Sequence, residues 1–302
     1  MNDAASTPGR PIEAIEAIMT TRAIRRFSDE PVTDDEIGIC LRAAQQAPSG
    51  GNVQPQQYVV VTDADTKAAV AQWYRTSFDR YERSLPDASA FRDEAAAESW
   101  RKTRAASRHL ADHVHEAPAI VFFLQPIIPW TPSDDEGPMD IGRLDASVYP
   151  AVQNFCVAAR ALGIGTSLTT VIRIHAAETL EVLGVPANDD GTARFEIAAC
   201  IPMGRPAGRF GVAPRKPARA VTHWNPFGNG STGFPDVIGN GSWPNYRVAK
   251  VTGDPVCDSG GGPVFEHVDP IITYWRIYDD PRIDNLNPQP VLSRLGTDLL
   301  GV

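Results

Sequence analysis

The sequence predicts a mixed fold in which amphipathic helices alternate with short apolar strands, and three segments carry this prediction. Residues 33–36 read TDDE, a capping-box signature that opens a stripe of apolar residues at helical spacing. Residues 145–162 have the same spacing, with Asp145 as the expected cap and Gly163 placed to end the helix. Residues 119–124 read AIVFFL, a run typical of a central strand that is apolar on both faces.

The other elements follow from spacing and from turn residues. The remaining predicted helices are 11–20, 65–74 and 176–183, and the remaining extended segments are 58–61, 168–172 and 195–201, of which the first and last are expected to be buried. Residues 126–138 are expected to form a loop. Residues 74–115 are polar and rich in Ala and Arg, with a weak apolar stripe. Such a segment is typical of a mobile cover or an inter-subunit helix; the alternative is a solvated surface helix.

Composition divides the chain into three parts. Residues 1–10 are expected to be a flexible N-terminus and residues 11–224 one domain, whereas residues 225–302 form a Gly-, Asn- and Pro-rich extension of open role. The net charge of -9 argues against nucleic acid as a partner. The sequence shows neither a secretory signal nor an apolar run long enough for a membrane span, so we expect a cytoplasmic protein.

Cysteine and histidine residues do not form a recognisable metal or disulfide framework. Cysteines stand far apart and without a CxxC pair, which favours reduced thiols: Cys40, Cys156, Cys200 and Cys257. His109, His113 and His115 share a helical segment but lack a HExxH-type motif, so we expect a solvated face and no metal site. The sequence contains no GxSxG, P-loop or Cys-His signature, which leaves hydrolase and kinase functions without support.

A cluster of arginines comes just before the first capped helix. Arg22, Arg25 and Arg26 lie close together, and Arg215 is a fourth candidate much further along the chain. Converging guanidinium groups suit a phosphate and a polar ring edge, because each presents a fixed fork of donors. The alternative is a solvated surface on which these arginines pair with the acidic residues between positions 29 and 34.

Two loops supply further hydrogen-bond donors. The loop 48–55 offers polar side chains and glycine amides suited to a heteroaromatic edge, or it is an ordinary polar turn. The segment 163–170, GIGTSLTT, is not a dinucleotide fingerprint, because position 168 is not glycine and a helix precedes it. Its hydroxyls and amides could donate to a cofactor; alternatively it is only a helix stop followed by a strand.

In this order the motifs resemble those of the FMN-dependent nitroreductase superfamily. The resemblance covers roughly residues 12–224. It is carried by RAIRRF at 22–27, APSGGNVQP at 47–55, and the Gln-Asn helix and turn at 153–165. The closing positions match as well, namely Pro202, Gly204, Pro206, Arg215, Pro217, His223 and Trp224. Two positions depart from the pattern. Thr21 replaces the usual first arginine, which shifts the expected phosphate contact towards Arg25 and Arg26, and Gln56 replaces the usual tryptophan.

The resemblance implies an α+β fold of the nitroreductase type, with a central, mainly antiparallel sheet flanked by helices, in an interlocked homodimer. Two FMN sites would lie at the dimer interface. The residues implied to hold FMN from one subunit are Arg22, Ala23, Ile24, Arg25, Arg26, Leu168, Thr169, Thr170 and Arg215. Those implied to come from the partner subunit are Ser49, Gly50, Asn52 and Gln54.

The implied activity is reduction of FMN by NADPH or NADH, followed by electron transfer to a nitroaromatic or quinone-like acceptor in a ping-pong mechanism. No catalytic side chain is expected, because flavin N5 carries the chemistry. Two alternatives stay open: a flavin-sequestering protein without turnover, and a superfamily relative that fragments flavin or removes halogen reductively.

Overall fold

The computed structural model describes residues 14–91, 93–128, 131–140, 142–143, 145–215, 218–223 and 227–228. The chain folds as two compact units, Met1–Ala213 and Pro214–Val302. Cys257 and both predicted terminal segments, 1–10 and most of 225–302, lie outside the described residues. In the described part, no helix is both long enough and apolar enough to cross a bilayer.

The first unit contains six α-helices and six strands in its described part. The helices are α1 Ala14–Thr20, α2 Asp34–Gln45, α3 Ala64–Glu82, α4 Glu94–His113, α5 Asp145–Ala161 and α6 Ala176–Val182. The strands are β1 Gln57–Val61, β2 Ala119–Pro126, β3 Ser133–Asp134, β4 Gly137–Pro138, β5 Gly165–Thr166 and β6 Phe195–Gly204.

The central sheet has the strand order β1-β2-β6-β5, and each of these pairs is antiparallel. The α+β class and the mainly antiparallel sheet are therefore confirmed. β2 is central, and every residue of it except Pro126 is buried, as its uninterrupted apolar sequence predicts. The prediction of a buried strand at 58–61 is wrong: only Val61 of β1 is buried, because β1 is an edge strand with β2 as its one neighbour.

Helices cover both faces of the sheet. Val121 and Phe123 point to the core that β2 shares with α2 and α5, whereas Ile120 and Phe122 point to the core shared with α3, α4 and α6. This alternation follows from the two-residue period of a strand. Full burial of each phenylalanine contributes on the order of 1.5–3 kcal/mol, so the two cores together fix the sheet between its helices.

Two helix ends lie where the sequence signals place them, and a third helix is longer than predicted. Thr33 forms the predicted capping box: its N–H donates to Glu36 Oε2 (3.0 Å), and its Oγ1 accepts from the Glu36 N–H (3.3 Å). Gly163 follows α5 with a φ of 76°, a conformation that glycine adopts without a Cβ clash. α3 is longer than predicted, because the Asp63 carboxylate caps it and its apolar face continues beyond Tyr74 onto α4.

Three local predictions need correction. Asp145 does not cap α5; it is the first helical residue, and its carboxylate accepts from Gln125 Nε2 (2.7 Å) and Arg143 Nε (3.0 Å). The extended segment expected at 168–172 begins earlier, with β5, and turns into a 3-10 helix at Val171–His175. The expected loop at 126–138 includes the small β3–β4 hairpin.

The polar segment 74–115 is packed rather than fully solvated. Its α4 buries Leu110 and Ala111 against the sheet-facing core. Arg108 joins α4 to α3 through ion pairs with Asp79 (2.7 Å) and Glu82. The N-terminal half of α4 is largely exposed, so the weak apolar stripe in the sequence marks only the half that packs.

Candidate functional site

The arginine segment is tied to the sheet by backbone hydrogen bonds. The Ile24 N–H donates to the Thr166 carbonyl (2.8 Å), which places Arg22–Arg26 alongside β5. A few residues further on, the Ser28 N–H donates to the Arg205 carbonyl (2.9 Å) just after β6. The opening motif and the 163–170 turn, which are far apart in sequence, are therefore adjacent in the fold.

Two glycines allow this close approach. A Cβ at Gly165 would lie 2.8 Å from the Ile24 side chain. A Cβ at Gly204 would lie 2.6 Å from Pro118 Cδ and 3.0 Å from the Phe27 ring. Real Cβ atoms do not approach other atoms so closely, so both positions require glycine if the arginine segment is to keep its path.

The arginines do not pair with the acidic residues that follow them. Within the described residues, Arg22, Arg25 and Arg26 form no ion pair with any carboxylate between positions 29 and 34. Glu30 instead pairs with Arg205 Nε (3.2 Å). The pairing that the solvated-surface alternative expected is therefore absent among the described residues, although Arg22 and Arg26 themselves are exposed.

Arg25 is the half-buried member of the cluster. Burial lowers the pKa of Arg25, Tyr74 partly offsets this effect, and the neighbouring cation Arg22 lowers the pKa further. A guanidinium stays charged in spite of such a shift. A partly desolvated cation beside a second cation is electrostatically unfavourable unless an anion joins them, so the cluster fits an anionic group.

Tyr74 lies close to this cluster and was not singled out from the sequence. Its hydroxyl is within 3.1 Å of Thr169 Oγ1, and the residue is 2% exposed. Burial raises the pKa of Tyr74 to about 12, with the Thr169 hydrogen bond acting in the opposite direction. Tyr74 is therefore a neutral hydroxyl at ordinary pH, and it holds the Thr169 side chain in place.

The segment after β5 presents backbone donors to one side. The N–H groups of Ser167 and Thr169 donate to carbonyls of β6, both at 3.0 Å. Because successive N–H groups of an extended chain point in opposite directions, those of Leu168 and Thr170 face away from the sheet. Both residues are exposed, so this edge offers donors next to the arginine segment.

The loop at 48–55 lies at the C-terminal end of α2. The Gly50 N–H donates to Ser147 Oγ on α5 (3.1 Å), and the Gln54 N–H donates to Ser49 Oγ (3.0 Å). Asn52 and Gln54 have φ values of 56° and 49°, a left-handed conformation that non-glycine residues adopt at a cost of about 1–3 kcal/mol. The loop's described hydrogen bonds run within it and to α2 and α5, and none reaches Arg22–Arg26.

The other predicted site residues are placed as follows. Arg215 belongs to the second unit, where its guanidinium donates to the Pro214 carbonyl (2.9 Å), so its phosphate role stays a prediction. His109 and His113 stack with ring centroids 4.2 Å apart, and His113 Nδ1 lies 2.9 Å from the His109 carbonyl oxygen. No cluster of three or more potential metal ligands occurs among the described residues.

The residues brought together fit a ligand with an anionic end and a planar, acceptor-bearing ring. The cationic end of the site is the cluster around Arg25, and the outward N–H groups of Leu168 and Thr170 lie beside it. Guanidinium forks suit phosphate oxygens, and aligned N–H groups suit ring nitrogens and carbonyls.

Most of the chain is similar in sequence to known proteins. The model of the nitroreductase family matches residues 18–205. A protein of Archaeoglobus fulgidus with the provisional name NADH dehydrogenase/NAD(P)H nitroreductase is 30% identical over 178 residues, which cover 58% of this chain and 79% of the relative. An FMN reductase [NAD(P)H] of Bacillus subtilis is 25% identical over 216 residues, covering 70% of this chain and 73% of the relative.

A solved structure gives the same fold. Oxidised iodotyrosine deiodinase bound to FMN and 3-iodo-L-tyrosine superposes with a TM-score of 0.53 at 19% identity. The match covers 71% of this chain and 100% of that chain. At this identity the likeness concerns the fold alone.

Proposed function

The chain belongs to the nitroreductase family, and from this premise we propose that it is an FMN-dependent oxidoreductase that takes electrons from NADPH or NADH. The name of the Bacillus subtilis relative, FMN reductase [NAD(P)H], supports this cofactor and this electron donor. We propose nitroaromatic or quinone-like compounds as the electron acceptors.

The observation that carries the proposal is the arginine cluster, which pairs with none of the carboxylates described at 29–34 and lies beside outward-facing backbone donors. Arg22, Arg25 and Arg26 would hold the phosphate, and Ala23 and Ile24 would line the chain that joins phosphate to ring. Leu168, Thr169 and Thr170 would lie along the ring edge, with Thr169 held by Tyr74. FMN bound there would supply hydride and electron transfer chemistry that no side chain can perform.

The chain's own groups would act by electrostatics and orientation. A cation fixed near the ring stabilises the negative charge that reduction adds, and it is already in place before the reaction. Tyr74 stays protonated, so it orients a hydroxyl rather than exchanging a proton. We assign no general acid. Donor and acceptor would use the same exposed side of the site in turn, which is ping-pong order.

We also propose a homodimer in which the loop 48–55 completes the partner's site through Ser49, Gly50, Asn52 and Gln54. In one chain the described hydrogen bonds that leave the loop lead to α2 and α5, and none of them reaches the arginine cluster of the same chain. Apolar side chains near it are exposed, among them Val53 (65%) and Val60 (38%) on the edge strand. Contact with a second copy would bury them.

Purified protein with bound flavin tests the proposed function. Under anaerobic conditions, excess NADPH or NADH should bleach the flavin absorbance, and added quinone or nitroaromatic should restore it. If neither nicotinamide bleaches the bound flavin, the protein is not a reductase, and the alternative of a flavin-sequestering protein without turnover is supported instead. Protein that takes up no FMN would contradict both, and halide release from halogenated aromatics would move the reaction to reductive dehalogenation.

A further inference from the structure

Five side chains around the loop form one continuous hydrogen-bonded chain, which we call the amide relay. Tyr58 Oη (3.0 Å) and Gln56 Nε2 (3.2 Å) both donate to Gln45 Oε1. Gln45 Nε2 donates to Gln54 Oε1 (2.9 Å), and Gln54 Nε2 donates to Asn52 Oδ1 (3.1 Å). The relay therefore joins a strand of the sheet to the tip of the strained loop.

The inner end of the relay is anchored in the core. The Tyr58 ring packs edge-on against Phe123 of β2, with ring centroids 5.0 Å apart. Gln56 is 4% exposed, and its Oε1 is buried without a partner among the described residues. A buried acceptor without a partner costs about 1–3 kcal/mol, so the Nε2 bond to Gln45 offsets only part of the cost of burying this amide.

The relay has a direction because each amide has one accepting and one donating end. The Gln45 oxygen accepts hydrogen bonds from Gln56 and Tyr58, so the Gln45 nitrogen faces Gln54 and donates to it. Gln54 in turn presents its nitrogen to Asn52, whose oxygen accepts that bond. Asn52 is the exposed end of the relay, and no described partner takes its amide N–H groups, which remain available to donate.

We propose that Gln45 and Gln56 are positioning residues that set the Asn52 amide as a hydrogen-bond donor towards an acceptor on the polar edge of the isoalloxazine ring. This inference rests on the proposed function. The oxidised ring presents carbonyl oxygens and unprotonated nitrogens as acceptors along that edge, and an amide already fixed as a donor binds them without an orientational cost. The left-handed backbone at Asn52 and Gln54 is held in place by the same relay.

A double-mutant cycle on FMN affinity tests whether Gln45 acts through Asn52. Loss of one neutral hydrogen bond is worth about 1 kcal/mol, so Gln45→Leu and Asn52→Ala should each weaken FMN binding roughly fivefold. The double variant should bind no more weakly than Asn52→Ala alone. Gln46→Leu is the matched control, because Gln46 is the next residue, is exposed and has no side-chain bond described; it should bind FMN like the wild type.

Gln45→Glu tests the direction of the relay. A carboxylate still accepts from Gln56 and Tyr58 but cannot donate to Gln54, so Gln54 must turn its nitrogen inward and its oxygen towards Asn52. Asn52 would then present an acceptor outward. We expect Gln45→Glu to bind FMN at least as weakly as Gln45→Leu, although glutamate matches glutamine in shape.

Two results would overturn the inference. One is a double variant whose loss of FMN affinity equals the product of the two single losses. The other is a Gln45→Glu protein that binds FMN as tightly as the wild type. Failure of the wild type to bind FMN would instead contradict the proposed function. The relay itself can be judged without flavin, from the side-chain amide resonance of Asn52 in isotope-labelled protein. That resonance should shift in Gln45→Leu and stay unchanged in Gln46→Leu; no shift in Gln45→Leu would rule out the relay.

Discussion

Replacing Arg25 with methionine separates a binding role from a structural one. Arg25 is half-buried, lies next to Arg22, and forms no ion pair with a described carboxylate. If the cluster exists to hold a phosphate, Arg25→Met should weaken FMN binding without weakening the fold. A structural arginine would behave in the opposite way, since its loss would leave partners unpaired.

The size of the effect follows from the type of contact. A hydrogen bond to a charged group contributes about 1.5–3 kcal/mol, which corresponds to roughly 10- to 100-fold in the FMN dissociation constant. In the flavin-free protein the same substitution removes a partly buried charge that lies beside a second cation. The free energy of unfolding should therefore stay within about 1 kcal/mol of the wild type or rise.

Quenching of flavin fluorescence gives the dissociation constant, and urea unfolding of the flavin-free protein gives the stability. Arg42→Met is the control, because Arg42 is exposed on α2 and its loss changes the net charge equally. Equal FMN affinity in Arg25→Met and Arg42→Met would refute the phosphate role. So would a loss of stability in Arg25→Met large enough to explain its weaker binding.

Three further substitutions probe the elements that hold the site. Tyr74→Phe should lower the free energy of unfolding by about 1 kcal/mol, because it removes a buried neutral hydrogen bond; urea titration measures this. Gly165→Ala should lower the free energy of unfolding by roughly 1–3 kcal/mol and weaken FMN binding, because the added Cβ would lie 2.8 Å from the Ile24 side chain. Gly38→Ala is the control: its Cβ would meet no atom on α2, so the substitution should leave stability unchanged or raise it. Glu36→Gln keeps an acceptor for the Thr33 N–H but removes the charge that pairs with Arg205, so it should lower the free energy of unfolding by about 1–2 kcal/mol at neutral pH and by less in acid.

The acid dependence of Glu36 has a definite sign. Partial burial alone would raise the pKa of Glu36, but hydrogen bonds from Thr33 and Arg205 outweigh it and lower the pKa below its ordinary value of 4.5. A carboxyl with a lowered folded-state pKa stabilises the protein above the unfolded value, and this stabilisation is lost as pH falls through the folded value. Thermal unfolding of wild type and Glu36→Gln should therefore differ at pH 7, and the difference should shrink as pH falls below 4.5 and through the lowered folded-state pKa.

Each of these predictions can fail. A Tyr74→Phe protein as stable as the wild type would mean that the hydroxyl pair contributes nothing. If Gly165→Ala and Gly38→Ala changed the free energy of unfolding equally, the arginine segment would not approach β5 as closely as the structure shows. A constant difference between wild type and Glu36→Gln down to low pH would show that the ionised carboxylate is not what stabilises the fold.

Local signals in the sequence predicted local structure well. The capping box at Thr33 and the central strand at 119–124 were confirmed, because each depends on residues that are neighbours in the chain. The exposure of β1 could not be predicted, since four apolar or aromatic residues look the same at the edge and in the middle of a sheet. Strand order is a property of the whole fold.

Part of the site geometry was beyond sequence reasoning for the same reason. The family resemblance implied that Arg22–Arg26 and Leu168–Thr170 belong to one site, and the Ile24–Thr166 hydrogen bond places the two segments next to each other. The role of Tyr74 was missed because its hydrogen-bond partner, a threonine, lies 95 positions away in the sequence. The amide relay was missed as well. Gln56 did leave a signal, as a glutamine where the family pattern has tryptophan, but its bond to Gln45 was not readable from the chain.

The central claim is that this chain holds FMN through the arginine segment and the strand edge beside it. A crystal structure of the protein grown with FMN tests it most directly. We predict that the phosphate contacts the Arg25 guanidinium and that the ring lies along Leu168–Thr170. Flavin bound elsewhere, with Arg25 facing solvent in a protein saturated with FMN, would contradict this account.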